Sequence, residues 1–204
     1  MTRITRGAGH AYQSQLRAEQ AEATRERILE ATLRVMAAGL ASVSIPAVAR
    51  EAGVSVPTIY RHFGTKRDLL AAVYPHVVRR SGFTEWAPPR SLDELREGVR
   101  ALFERLDAAD DLTRAAMASP SAEEARRITM PDRMALVRRF TDSIEPKLAE
   151  ADRDRIGRLL VVLVTSSTLR IWRDRLGSSV DEAADDIDRV IRAAIAASRQ
   201  ETGR

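Results

Sequence analysis

The 204-residue chain contains no cysteine, which removes disulfide scaffolds, zinc fingers, iron–sulfur ligation and thiol nucleophiles from consideration. Histidine is almost as scarce. The three present, His10, His62 and His76, are not spaced with carboxylates as metal ligands or as members of a catalytic triad, so neither a metal site nor a resident cofactor is expected. No glycine-rich phosphate loop occurs. Long apolar runs are missing too. The longest, Leu159 to Val164, falls far short of the roughly 20 residues a spanning helix needs, and the opening residues MTRITRGAGHAYQSQ lack the apolar core of a signal peptide. These absences predict a cytoplasmic protein that does not enter a membrane. Glycine and proline are thin within the periodic stretches, and no alternating β-branched segment reads as a strand. The expected fold is therefore all-α.

What is present is charge, unevenly placed. Of 33 Lys+Arg and 29 Asp+Glu, residues 1–80 hold 12 and 6, leaving 21 and 23 for residues 81–204. The positive balance belongs to the N-terminal part, as expected of an end that meets a polyanion. Arg3, Arg6 and Arg17 lie in a polar stretch, residues 1–21, that reads as a flexible extension, either an inert tail or an arm reaching a minor groove. A first helix is expected from about Glu22 to Ala38, with Ile28, Thr32, Val35 and Met36 on one stripe and Gly39 as its stop. Short helices follow near Ile45–Ala52 and Val56–Phe63, then a longer one at Lys66–Val78. Gly82 and the Pro88-Pro89 pair mark the strongest break in the chain and place a domain boundary between residues 82 and 83. Beyond it, helices are expected at Leu92–Ala108, Leu112–Ala118, Ala122–Thr129, Asp132–Ala149, Arg153–Leu176 and Asp181–Ser198.

Residues 44–63 carry the most specific pattern. Ser44 is placed to cap the first short helix, and small Ala49 allows a second helix to cross closely. Gly53 gives the turn its backbone freedom, Val54 fills the angle between the helices, and Ser55 caps the second helix, whose Pro57 sits where first-turn amides have no intrahelical acceptor. Ile59 and Phe63, four apart, face inward. Val56, Pro57, Thr58, Tyr60 and Arg61 are left on or near the outward face of a two-turn helix, which fits a helix-turn-helix. In that motif the second helix enters the major groove. Arg61 would fork onto guanine O6 and N7, Thr58 would touch a thymine methyl, and Tyr60, His62 and Lys66 would meet phosphates, as would the free amides behind Ser44 and Ser55.

The segment resembles the TetR family of transcriptional regulators. The shared pattern is a leading helix like Thr24–Thr32, then Ala49-x-x-Ala52-Gly53-Val54-Ser55, then Thr58-Ile59-Tyr60-x-His62-Phe63, then Lys66-x-x-Leu69-Leu70. It covers about residues 22–82. Ala47 departs from it, standing where the family often carries an acid able to complete a capping box with residue 44. The resemblance implies an N-terminal three-helix DNA-binding domain at 22–82 and a C-terminal helical domain at 83–204 that binds an effector and dimerises through its last two helices. It implies a repressor, not an enzyme, that leaves a palindromic operator when a small molecule binds.

Within the second region Phe103, Met117, Met134, Phe140, Ser167 and Trp172 are candidates for lining an effector site. Their apolar surface suggests a largely apolar ligand, since no buried counter-charge for an ionic one can be located along the sequence. Thr165-Ser-Ser-Thr168 is a hydroxyl cluster whose members commonly bond to the preceding turn. A rival reading keeps the chain as a helical small-molecule-binding protein or enzyme whose N-terminal bundle is only structural.

Overall fold

In the computed structural model, residues 6–39, 42–80 and 89–202 are described, and among them every regular element is helical. In chain order these are α1 (Arg6–Ala37), α2 (Ile45–Ala52), α3 (Val56–Phe63), α4 (Lys66–Arg80), α5 (Leu92–Asp107), α6 (Asp111–Ala118), α7 (Pro120–Ile144), α8 (Glu150–Leu163), α9 (Ser166–Arg170), a π-helical turn (Ile171–Arg175) and α10 (Val180–Thr202).

The chain forms two compact units, residues 1–76 with 115–125, and residues 77–114 with 126–204. The Gly82–Pro89 break falls largely on residues 81–88, outside the described residues. By contact, the first unit stops at His76 and takes in Ala115–Ala125, a return that no local signal in the sequence could show.

In the first unit α1 packs against α2 and α3. Ile28, Thr32, Val35 and Met36 of α1 are buried as their spacing predicts, together with Val48 and Ala49 of α2, Ile59 and Phe63 of α3, and Leu69, Leu70 and Val73 of α4. The start of α1 differs from expectation. The helix begins at Arg6, so residues 6–21 are helical, with exposed side chains from Gln13 to Ala21. Their polarity suggested a tail, but Ala, Gln, Arg, Glu and Leu are good helix formers and no proline interrupts them. Arg3 lies outside the described residues. His76, near the end of α4, is buried, with Nδ1 2.9 Å from Glu26 and Nε2 3.2 Å from Glu30 of α1.

The second unit is built on α10, whose Ala183, Ala184, Ile187, Ile191 and Ile195 are buried against α5 and α8. Leu95, Val99 and Phe103 of α5, Phe140 of α7, Ile156 and Leu160 of α8 and Leu169 of α9 complete this core. Ser179 caps α10 reciprocally with Glu182: the Glu182 N–H donates to the Ser179 hydroxyl at 3.1 Å and the Ser179 N–H to the Glu182 carboxylate at 2.7 Å.

Two helix boundaries are corrected. Helix α7 runs through Met130-Pro131 without a break; proline removes one donor, and at the exposed Pro131 water can serve the acceptor left behind. Conversely, the single helix expected over 153–176 is interrupted at Val164 and Thr165, the latter extended at φ −137°, ψ 158°. The hydroxyls cause the break. Thr165 Oγ1 accepts from the Thr168 N–H at 3.0 Å, and Thr168 Oγ1 donates to the Val162 carbonyl at 2.7 Å, so the side chains replace the helical ladder.

Candidate nucleic-acid interface

The turn between α2 and α3 depends on Gly53, which sits left-handed at φ 65°, ψ 37° and directs its N–H to the Ala49 and Arg50 carbonyls. The Val54 N–H reaches back to Ala49 O at 3.0 Å, a closure that ends α2 abruptly and would strain any residue with a Cβ at position 53. Ser55 then caps α3: its Oγ accepts from the Thr58 N–H at 3.3 Å and lies 2.9 Å from Thr58 Oγ1. Pro57 occupies the first turn of α3, where its missing N–H costs nothing. Ser44 occupies the corresponding cap position of α2 but makes no side-chain cap bond. Pro46 in that first turn removes one of the two amides a cap could serve, and Ala47 offers no reciprocal acid.

Helix α3 has two clearly different sides. Ile59 and Phe63 are buried, while Pro57, Tyr60 and Arg61 are exposed at the i, i+3, i+4 positions of the opposite face. Val56, Thr58 and His62 are half-buried at the margins. The Arg61 side chain has no ion-pair or hydrogen-bond partner among the described residues, and the same holds for the side chains of Arg50 at the end of α2 and Arg67 in the first turn of α4. Guanidinium groups held out on α2, α3 and the start of α4 without carboxylate partners keep their full field and all five donors for an incoming anion.

The far end of α3 is clamped by a residue the motif reading missed. Arg25 of α1 stacks its guanidinium 4.3 Å from the centroid of the Phe63 ring and donates to the His62 carbonyl at 3.3 Å. The available signal was its spacing, since Arg25 stands three and seven residues before Ile28 and Thr32 on the inward stripe. After α3, Gly64 turns at φ 74°, and Thr65 starts α4 with its hydroxyl bonded to Asp68 at 2.6 Å. Lys66, expected at a phosphate, is half-buried with Nζ 3.2 Å from Glu124. A DNA phosphate would have to share or displace that carboxylate.

The residues picked as effector lining fall in both units. Phe103 and Phe140 are fully buried members of the second unit's core, against which Trp172 packs half-buried. Met134 and Ser167 are half-buried in the same unit, on α7 and α9. Met117 lies in the first unit. Among the described residues no group of three or more His, Asp or Glu side chains could hold a metal ion, and no helix is long and apolar enough to cross a membrane.

Residues 28–73 match the family model described as bacterial regulatory proteins, tetR family. A curated relative, the HTH-type transcriptional regulator SrpR of Pseudomonas putida, is 42% identical over 57 residues, taking in 28% of this chain and 27% of that protein. The match thus spans about a quarter of the relative's length. Among solved structures, a TetR-like transcriptional regulator from Rhodococcus sp. RHA1 superposes with a TM-score of 0.51 at 18% identity, covering 85% of this chain and 96% of that one. That likeness concerns the fold.

Proposed function

We propose that the chain, whose residues 28–73 match the tetR family of bacterial regulatory proteins, is a regulator of that family and an effector-controlled transcriptional repressor, with DNA reading in residues 22–82 and effector binding and dimerisation in residues 83–204. The observation that carries the reading is helix α3, anchored by Ile59 and Phe63 while Pro57, Tyr60 and Arg61 stand outward. A helix presented in this way fits a major groove. There Arg61 reads guanine, Thr58 the thymine methyl, and Tyr60, His62, Lys66 and the first-turn amides of α2 and α3 hold the backbone.

Two reading heads require two copies. Val162 of α8, Ile171 and Leu176 in and after the π-helical turn, and Val190 of α10 are 66%, 45%, 62% and 46% exposed. These side chains, on the last helices of the second unit, suit a two-fold interface with a second copy of the chain. The operator is then a palindrome with half-sites about 34–36 Å apart. An effector with a largely apolar body, received near Trp172, Met134 and Ser167, relieves repression if it binds more tightly to the conformation whose heads are mis-spaced. No catalytic step is involved.

A fluorescence-anisotropy titration against the intergenic DNA upstream of the coding gene tests this. Saturable binding should appear, and should weaken by orders of magnitude between about 50 and 200 mM salt as phosphate contacts give up counterions. Absence of any complex preferred over random DNA of the same length would refute it.

A further inference from the structure

The interruption between α8 and α9 brings together groups that are far apart in sequence. Arg126 of α7 extends Nη2 to 3.5 Å from Ser166 Oγ, in the first turn of α9. Arg170 closes the same short helix one turn later, and its side chain is half-buried with no hydrogen-bond or ion-pair partner among the described residues. Burial and the like charge of Arg126 hold the Arg170 guanidinium below its ordinary pKa, against the smaller opposing effect of Asp174. The fold thus holds at Arg170 a half-buried cation that burial and the charge of Arg126 disfavour. The arrangement makes sense where an anion enters between the two guanidiniums. Thr165 and Thr168 are committed to the helix break, but the Ser167 hydroxyl makes no side-chain bond among the described residues. Trp172 stands two residues after Arg170, in the π-helical turn that starts at Ile171, and packs half-buried against the same apolar core in which Leu169 is buried. Wider turns of this kind are frequent at ligand sites.

We propose that Arg126, Arg170 and the Ser166 hydroxyl form a carboxylate-binding site, and that the effector is a small organic acid whose apolar body lies toward Trp172. Two planar guanidiniums and one hydroxyl match the two in-plane oxygens of a carboxylate, and guanidinium donors remain for this even where Arg126 keeps other interactions. The proposal supplies the counter-charge that could not be located along the sequence, because Arg126 and Arg170 lie on different helices. It rests on reading the chain as an effector-controlled regulator.

The test uses the full chain carrying Trp86→Phe, which leaves Trp172 as the single tryptophan. Octanoate and benzoate are titrated beside neutral octanol and inorganic phosphate, with Trp172 fluorescence as the readout, and operator binding is measured separately. At least one of the two acids should bind saturably, octanol and phosphate at least tenfold more weakly. Arg170→Gln and Ser166→Ala should weaken acid binding, the first by tenfold or more, while the melting temperature stays near wild type. Arg170→Lys, which keeps the charge without the fork, should recover part of the loss and guards against a folding artefact. Equal acid affinity in Arg170→Gln and wild type, octanol binding as well as octanoate, preference for phosphate, or no binding of either acid would each overturn the carboxylate site. If operator binding persists in those cases the regulator reading survives, whereas acid binding without any operator complex would overturn that reading and leave the site standing.

Discussion

Replacing Arg25 by alanine should loosen helix α3 without removing anything from its outward face. Three interactions disappear together. The charged donor to the His62 carbonyl at 3.3 Å contributes about 1 kcal/mol. The stack at 4.3 Å over Phe63 adds about 0.5–1 kcal/mol, and a cation at the carbonyl end of a helix about 0.3–1 kcal/mol. These overlap in one guanidinium, so the expected cost is about 2 kcal/mol, equivalent to an opening equilibrium about 30-fold larger. Hydrogen exchange read by mass spectrometry on residues 56–63 measures that opening directly, and operator affinity should fall as well because the groove-facing helix must be ordered on binding. Arg25→Lys, which keeps the charge and loses the planar stack, should restore about half of the protection. Exchange in α3 that changes by less than threefold in Arg25→Ala would refute the clamp.

Further outcomes follow from the same geometry. Asp110 accepts from the Thr113 backbone N–H at 2.8 Å and from Arg80 at 2.6 Å, which hold its carboxyl at about 2 against an ordinary 3.8. Its stabilisation is therefore present above pH 3.8 and lost as pH falls toward 2. With the side chain 49% exposed, solvent screening reduces it to about 1 kcal/mol or less. The melting temperature of Asp110→Asn should lie about 2 °C below wild type at pH 6, a gap that closes as pH falls through about 2; a gap independent of pH would count against it. Glu124→Gln frees Lys66 and should strengthen DNA binding up to about fivefold for all sequences alike, whereas weaker binding would mean that Lys66 is not a phosphate contact. Val162→Glu with Leu176→Glu sets like charges against their own copies across a two-fold axis. Sedimentation should then show a monomer, and a persistent dimer would move the interface elsewhere.

The sequence was most legible where local chemistry decides structure. Ile45–Ala52 and Val56–Phe63 end where Gly53 and Gly64 require it and start behind Ser44 and Ser55, so both helices occupy their expected residues. The family pattern in the same segment is matched by the model over residues 28–73. Legibility failed where long-range or competing effects act. Met130-Pro131 looked like a stop, yet exposure makes the lost bond cheap. Thr165–Thr168 looked like part of a continuous helix, yet its hydroxyls turn inward on the backbone and divide it. Polar residues 6–21 carry no apolar stripe, so only propensity, the weaker signal, marks them as helix. The pairings Arg25–Phe63, Lys66–Glu124 and Arg126–Ser166 each join residues of different helices, and one sequence offers no pattern that brings such partners together.

The most direct measurement of the central claim is selection of binding sites from random duplex DNA by the full chain, run in parallel with Arg61→Ala. The account predicts that wild type enriches a two-fold symmetric site with half-sites about one helical turn apart or a multiple of it. Arg61→Ala should retain the same spacing but lose preference at one guanine-containing position in each half-site, at a cost of about 1–3 kcal/mol per contact. No enriched sequence from wild type, or an identical preference from Arg61→Ala, would contradict base reading by helix α3.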